Sequence, residues 1–130
     1  MIVVDASAVL DALIATPGSG ARERIRSDGD LRAPHLIDLE VLNALRHLLL
    51  RGKVTVDAVS PIRIAYSQIS IARYPHSLLA DRIWDLRHNV SPYDAAYVTL
   101  AAALGAPLVT CDARLARAGQ SVAQIELLGA

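Results

Sequence analysis

Apolar positions along this chain alternate between two rhythms. Five short runs, at 1–4, 31–33, 69–72, 107–110 and 122–127, have the length and apolar content of buried strands. Between them, apolar residues recur at helical spacing. Residues 6–15 carry Val9, Leu10, Leu13 and Ile14, with Asp5 or Ser7 as the cap. After a break at 16–20, residues 21–27 read as a short helix with Arg22 and Arg26 one turn apart. Residues 36–51 give the strongest helical pattern. Its expected core stripe is Leu39, Leu42, Leu45 or Arg46, and Leu49, and Gly52 stands just past its end. A helix over 55–67 requires Pro61 to sit early or to bend it. Residues 77–88 suit one more helix, with Leu78, Leu79, Ile83 and Leu86 apolar. Ser91 and Pro92 read as the cap and first position of an alanine-rich helix running to Leu104 before Gly105. Asp112 opens a last short helix.

Short strands alternating with helices predict an α/β fold with a parallel sheet covered on both faces. No repeat, linker or low-complexity tract divides the 130 residues, so a single domain over 1–130 is expected.

Composition narrows the function classes. With 53% hydrophobic residues the chain is not a disordered one. Lys+Arg and Asp+Glu are 13 each, and zero net charge speaks against a histone-like or tail-driven nucleic-acid binder. All basic residues except Lys53 are Arg, the better bidentate partner for phosphate. A single cysteine excludes an internal disulfide and a cysteine-rich zinc site, and points to a reducing cytoplasm. Residues 1–15 hold Asp5 and Asp11 and no basic residue, unlike a secretory signal. The longest apolar stretch, 95–109, is broken by Gly105 and Pro107 and is too short to cross a bilayer.

The chemistry lies in four acids. Asp5 and Asp112 follow the first and fourth predicted strands, and open parallel sheets bind ligands outside the carboxyl ends of their strands. Asp94 lies in the first turn of the alanine-rich helix. Glu40 stands one turn from Asn43 and two from His47 on the longest helix. Singly, each has a structural explanation. Asp5 and Asp112 suit N-caps, Asp94 suits the positive end of a helix dipole, and Glu40 suits a solvated face. Together, at a strand-order switch point, they would form a carboxylate cleft that Mg²⁺ or Mn²⁺ makes sustainable. Such a cation generates a hydroxide nucleophile and stabilises phosphoryl transfer without a histidine base.

These residues resemble the PIN-domain ribonucleases, in particular the VapC-type toxins of bacterial toxin–antitoxin pairs. MIVVDASAVLDAL matches the first motif with Asp5 and Ser7, and PHLIDLEVLNAL matches the second with Glu40 and Asn43. LRHNVSPYDAAYVTLAAALGAPLVTCDARLA matches the third and fourth with Asp94, Thr110 and Asp112. The resemblance spans the chain and implies a three-layer α/β/α sandwich around a short parallel sheet. It implies Mg²⁺- or Mn²⁺-dependent RNA cleavage with Asp5 and Asp94 as direct metal ligands. Glu40 and Asp112 would complete the site through water or a second metal, with Ser7, Asn43 and Thr110 orienting them. It also implies a homodimer and a cognate antitoxin.

Other folds fit less well. A haloacid-dehalogenase phosphatase needs a second Asp where Ser7 stands. Both it and a receiver domain need a late lysine, and Lys53 is the only lysine. A dinucleotide-binding turn would carry glycines that DASA lacks. The remaining alternative is a PIN-fold module that binds RNA or protein without cutting.

Among other residues, Arg82 and Arg87 are RNA-contact candidates upstream of the third motif. Arg22, Arg26, Arg46, Arg51 and Lys53 read as phosphate-tracking or solvated. Trp84 suits core or dimer surface better than a base-stacking platform. Cys111 suits an inert thiol better than a nucleophile. The four histidines lack metal-ligand spacing; His47, two turns from Glu40, is the one to test, and it reads better as a packed or surface residue. Setting the four acids aside leaves 13 basic residues against nine acidic ones, so zero net charge can hide a negative pocket in a basic surface.

Overall fold

Ile2, Val3 and Val4 are wholly buried, as expected of a strand covered on both faces. They form β1 (Ile2–Val4) in the computed structural model, which describes residues 1–129. The chain continues through α1 (Ala6–Ile14), α2 (Ala21–Asp28), β2 (Leu31–Pro34), α3 (Ile37–Leu50), α4 (Val56–Ser67) and β3 (Ile71–Tyr74). A 3-10 turn (His76–Leu79) leads into α5 (Ala80–Asp85), α6 (Pro92–Leu104), β4 (Leu108–Thr110), α7 (Ala113–Gly119) and β5 (Ile125–Leu127).

The five strands are parallel, in the order β3-β2-β1-β4-β5. Val3 pairs with Leu108 and Val4 with Val109, so the strand order reverses between β1 and β4. That is the expected switch point, and it sets the residues after these two strands side by side. Helix α1 packs against α2, α3 and α4, while α6 packs on β1 and β2 and meets α5 and α7. The result is the three-layer α/β/α sandwich.

The core is built at this switch point. Leu108 and Val109 share the complete burial of β1. Each such aliphatic side chain contributes about 1.5–3 kcal/mol of transfer free energy. Residues Ala95 to Ala101 of α6 are all buried, and the small alanines let the helix lie close to the sheet. Gly119 extends that close approach: a Cβ there would lie 2.7 Å from Val98 Cγ2.

Local signals act as the sequence predicts at several ends. Ser91 accepts a bond from the Asp94 amide with Pro92 at the start of α6. At the end of α3, Gly52 takes a left-handed φ of 71°. The Lys53 amide bonds the Leu48 carbonyl and the Gly52 amide bonds that of Leu49, a Schellman closure.

Three expectations need correction. Helix α3 buries Ile37, Val41 and Leu45, while Leu39 and Leu42 are exposed. The helix is apolar on two sides, and packing against α1 selects the stripe that begins at Ile37. Residues 77–88 split into the 3-10 turn and α5, because only Leu79 of that segment is buried and little packing sustains a longer helix. The third strand lies at Ile71–Tyr74, two residues later than predicted, in register with all of β2. Of the two settings expected for Pro61, early in its helix or bending it, the early one does not hold, since Pro61 lies inside α4. Its missing N–H leaves the Asp57 carbonyl without the usual helical donor, which is tolerable because α4 has no buried residue.

Candidate active site

Each of the four acids stands in the first turn of a helix. Asp5 caps α1, accepting from the Ala8 amide at 3.0 Å. Asp112 caps α7, accepting from the Arg114 and Leu115 amides at 2.9 and 3.2 Å. Asp94 and Glu40 lie in the opening turns of α6 and α3. The capping explanation and the site explanation therefore hold together for Asp5 and Asp112. The N-termini of α1 and α7 thus direct amide donors at Asp5 and Asp112, while Glu40 and Asp94 enter the same cavity from α3 and α6.

The group lines one cavity of about 400 Å³, with Ser7, Asn43, His47, Tyr97 and Arg114 on its walls. Asp5 is the deepest member and is 5% exposed. Its Oδ1 accepts from Ser7 Oγ at 2.7 Å and its Oδ2 from Thr110 Oγ1 at 2.6 Å. Those hydroxyls are themselves held, since Ser7 Oγ accepts from the Cys111 amide and Thr110 Oγ1 from the Asp112 amide. Burial raises the pKa of Asp5 above its ordinary 3.8 despite bonds from Thr110, Ala8 and Ser7, and the Asp112 carboxylate adds to the rise. Burial also raises Glu40 above 4.5, helped by repulsion from Asp94, Asp5 and Asp112 and opposed by Tyr97. The Tyr97 hydroxyl is buried without a partner in hydrogen-bond geometry.

Two residues of the site, Tyr97 and Arg114, stand out in no sequence pattern. Tyr97 lies on the inner face of α6, three residues after Asp94. Arg114 donates from Nη1 to Asp94 Oδ2 at 2.7 Å and from Nη2 to Asp112 Oδ2 at 3.4 Å. The sequence signal for Arg114 is its place at the second position of the helix that Asp112 caps. Among the described residues, no three His, Cys, Asp or Glu side chains close around one point as cation ligands would. Asp94 and Asp112 are engaged by Arg114 instead.

Other candidates fall outside the cavity. Arg87 lies over the Trp84 ring at 4.8 Å and lines a separate, mostly apolar groove with Leu36, His76, Ile83 and Tyr93. Arg82 is exposed on α5 and lines neither the groove nor the cavity. Trp84 is 66% exposed, which removes it from the core. Arg22 is bound to the Ala12 and Leu13 carbonyls and closes α1 rather than tracking phosphate. Burial pushes the Cys111 thiol up to about 12, with Asp11 adding to the rise, so it is no thiolate near neutrality.

The PIN domain pattern matches residues 2–120. Ribonuclease VapC9 of Mycobacterium tuberculosis is 39% identical over 128 residues, covering 98% of each chain. Ribonuclease VapC1 of the same species is 42% identical over 128 residues, covering 97% of this chain and 96% of the relative. The chain is a VapC-type PIN domain. This PIN domain also resembles PAE2754 from Pyrobaculum aerophilum in its crystal structure. The TM-score is 0.70 and the identity 25%, covering 95% of this chain and 89% of the other. No described helix of the VapC-type chain is long and apolar enough to cross a membrane.

Proposed function

We propose that this VapC-type PIN domain is a Mg²⁺- or Mn²⁺-dependent endoribonuclease and the toxin of a toxin–antitoxin pair. The observation that carries the reading is the meeting of Asp5, Glu40, Asp94 and Asp112, from four separate helix starts, in one cavity at the strand-order switch. The ribonuclease names of its relatives support the substrate class.

The donor set fits a hard divalent cation. It is made of carboxylate and hydroxyl oxygens, and burial with repulsion from neighbouring acids raises two of its carboxyls, a strain that a bound cation relieves. Asp5 and Asp94 would hold the cation directly, with Glu40 and Asp112 completing the site. When bound, the cation supplies an activated water and neutralises charge at the scissile phosphate. Ser7 and Thr110 fix both Asp5 oxygens, so that carboxylate keeps one orientation. Asn43 and His47 stand at the wall, where they can orient water or the leaving oxygen.

The reading carries partners: RNA as substrate, a cognate antitoxin, and a second copy of the chain. Exposed Leu39, Leu78, Trp84 and Tyr93 support protein partners. The single cysteine, Cys111, which leaves no internal disulfide possible, supports a cytoplasmic location. The 130 residues are read as one nuclease domain.

Thermal melting with and without millimolar Mn²⁺ separates this reading from a non-cutting binding module. A cation site raises Tm by mass action, and Asp5→Asn removes the rise. An unchanged Tm in wild type favours the binding module.

A further inference from the structure

Arg114 is the cation that these acids already hold. Its guanidinium reaches Asp94 Oδ2 and Asp112 Oδ2 and, among the described residues, makes no other hydrogen bond. The two ends of this contact differ in setting. The Arg114 side chain is 66% exposed, while that of Asp94 is 14% exposed. An arginine so placed pays little to let go, because an exposed ion pair contributes little and its stem is free to swing. Its carboxylate partner, by contrast, stays inside the cavity with the other three acids.

Elementary electrostatics explains why a cation stands there. Four carboxylates share the cavity, and without a counter-charge they repel one another. Arg114 supplies one positive charge from within the fold, bridging the acids of α6 and α7. A planar fork suits this task, since its two nitrogens reach two carboxylates at once. The same geometry makes Arg114 a competitor for any divalent cation that needs Asp94. It also leaves the guanidinium at the cavity rim, where RNA phosphate must arrive.

Resting on the metal-nuclease reading above, we propose that Arg114 is a switching counter-cation. It bridges Asp94 and Asp112 while no divalent cation is loaded, yields Asp94 when one loads, and then binds a phosphate oxygen of the RNA. Arg114 is thereby a positioning residue for the acids in one state and a substrate contact in the other. No bond is made or broken in the exchange; one cation replaces another at Asp94.

The test compares the full-length wild type, Arg114→Ala and Arg114→Lys in two measurements. The first is calorimetric titration with Mn²⁺ in the absence of RNA. The second is single-turnover RNA cleavage at saturating Mn²⁺. Arg114→Ala is expected to bind Mn²⁺ about two- to fivefold more tightly, the factor set by losing an exposed competitor. It is expected to cleave RNA about tenfold or more slowly, since a donor to the reacting phosphate is gone. Arg114→Lys keeps a point charge and falls between on both measures. Opposite signs are the signature, because a folding defect would weaken binding and cleavage together. Unchanged or weaker Mn²⁺ binding in Arg114→Ala overturns the proposal, and so does tighter binding with undiminished cleavage. If the wild type binds Mn²⁺ and cleaves RNA while the variants match it, the switch fails and the nuclease reading stands. If the wild type binds no Mn²⁺, both fall.

Discussion

Thr110, the last residue of β4, donates its hydroxyl hydrogen to Asp5 Oδ2 at 2.6 Å, across 105 residues of sequence. The bond closes the switch point from both strands, because Asp5 directly follows β1. It also satisfies a carboxylate that has almost no access to water. Replacing Thr110 with Val preserves shape but removes that donor, and it removes the acceptor of the Asp112 amide. Thr110→Val is expected to lower stability by about 1–3 kcal/mol, the penalty for an unsatisfied buried group. Thr110→Ser, which keeps the hydroxyl, should recover most of it. Urea denaturation of the two variants decides, and a Thr110→Val protein as stable as wild type would contradict the assigned role.

Gly119 is where α7 meets α6 and β5. A Cβ would lie 2.7 Å from Val98 Cγ2 and 3.0 Å from Ile125 Cδ1. Val98 is β-branched inside a buried helix and has little freedom to move aside. Gly119→Ala is therefore expected to cost about 1–3 kcal/mol through overpacking. Pairing it with Val98→Ala should cost less than the sum of the two single changes, measurable as non-additive shifts in Tm.

Much of this was legible in sequence. The number and order of the strands, the parallel sheet and the four acids follow from short apolar runs, helix caps and motif spacing, although β3 and β5 begin two and three residues later than those runs. The capping signals at Asp5, Ser91 and Asp112 are local, so a single sequence carries them. The phase of α3 was not legible. Seven leucines and isoleucines give that helix two apolar sides, and only packing against α1 decides that Ile37, Val41 and Leu45 turn inward. Arg114 escaped for a related reason. Its contact with Asp94 spans 20 residues and depends on where α6 and α7 start, which no local pattern encodes.

Acid titration should act in opposite directions at two places. Asp38 accepts from Arg73 Nε and Nη2 at 2.9 and 2.8 Å and from the Tyr66 hydroxyl at 2.7 Å, tying α3 to β3 and α4. The Arg73 guanidinium holds Asp38 below its ordinary 3.8, so its contribution is present above that value and is lost as pH falls through the lower folded one. Asp38→Asn is expected to cost about 1 kcal/mol or less near neutrality, because the pair is partly exposed. The gap to wild type should close in acid. A gap independent of pH would contradict the ion-pair assignment.

The acid cavity has the reverse sign. Burial, the largest cause for both, raises Asp5 above 3.8 and Glu40 above 4.5. Between those ordinary values and the folded ones, the native state holds more protons than the unfolded chain. The metal-free protein therefore loses stability as pH rises through that interval. A divalent cation binds the deprotonated acids, so its stabilising effect grows over the same interval. The Mn²⁺-induced rise in Tm should be larger at about pH 7.5 than at about pH 5. A shift that does not change with pH would mean that Mn²⁺ binds elsewhere.

The most direct measurement is cleavage of a defined RNA by the purified chain in Mg²⁺ or Mn²⁺, repeated after EDTA and with Asp94→Asn. Internal cuts that vanish with EDTA, return with added Mn²⁺ and fall by about a hundredfold or more in Asp94→Asn are the expected result. Cleavage that persists in EDTA, or that Asp94→Asn leaves intact, would contradict a metal-dependent nuclease built on these four acids.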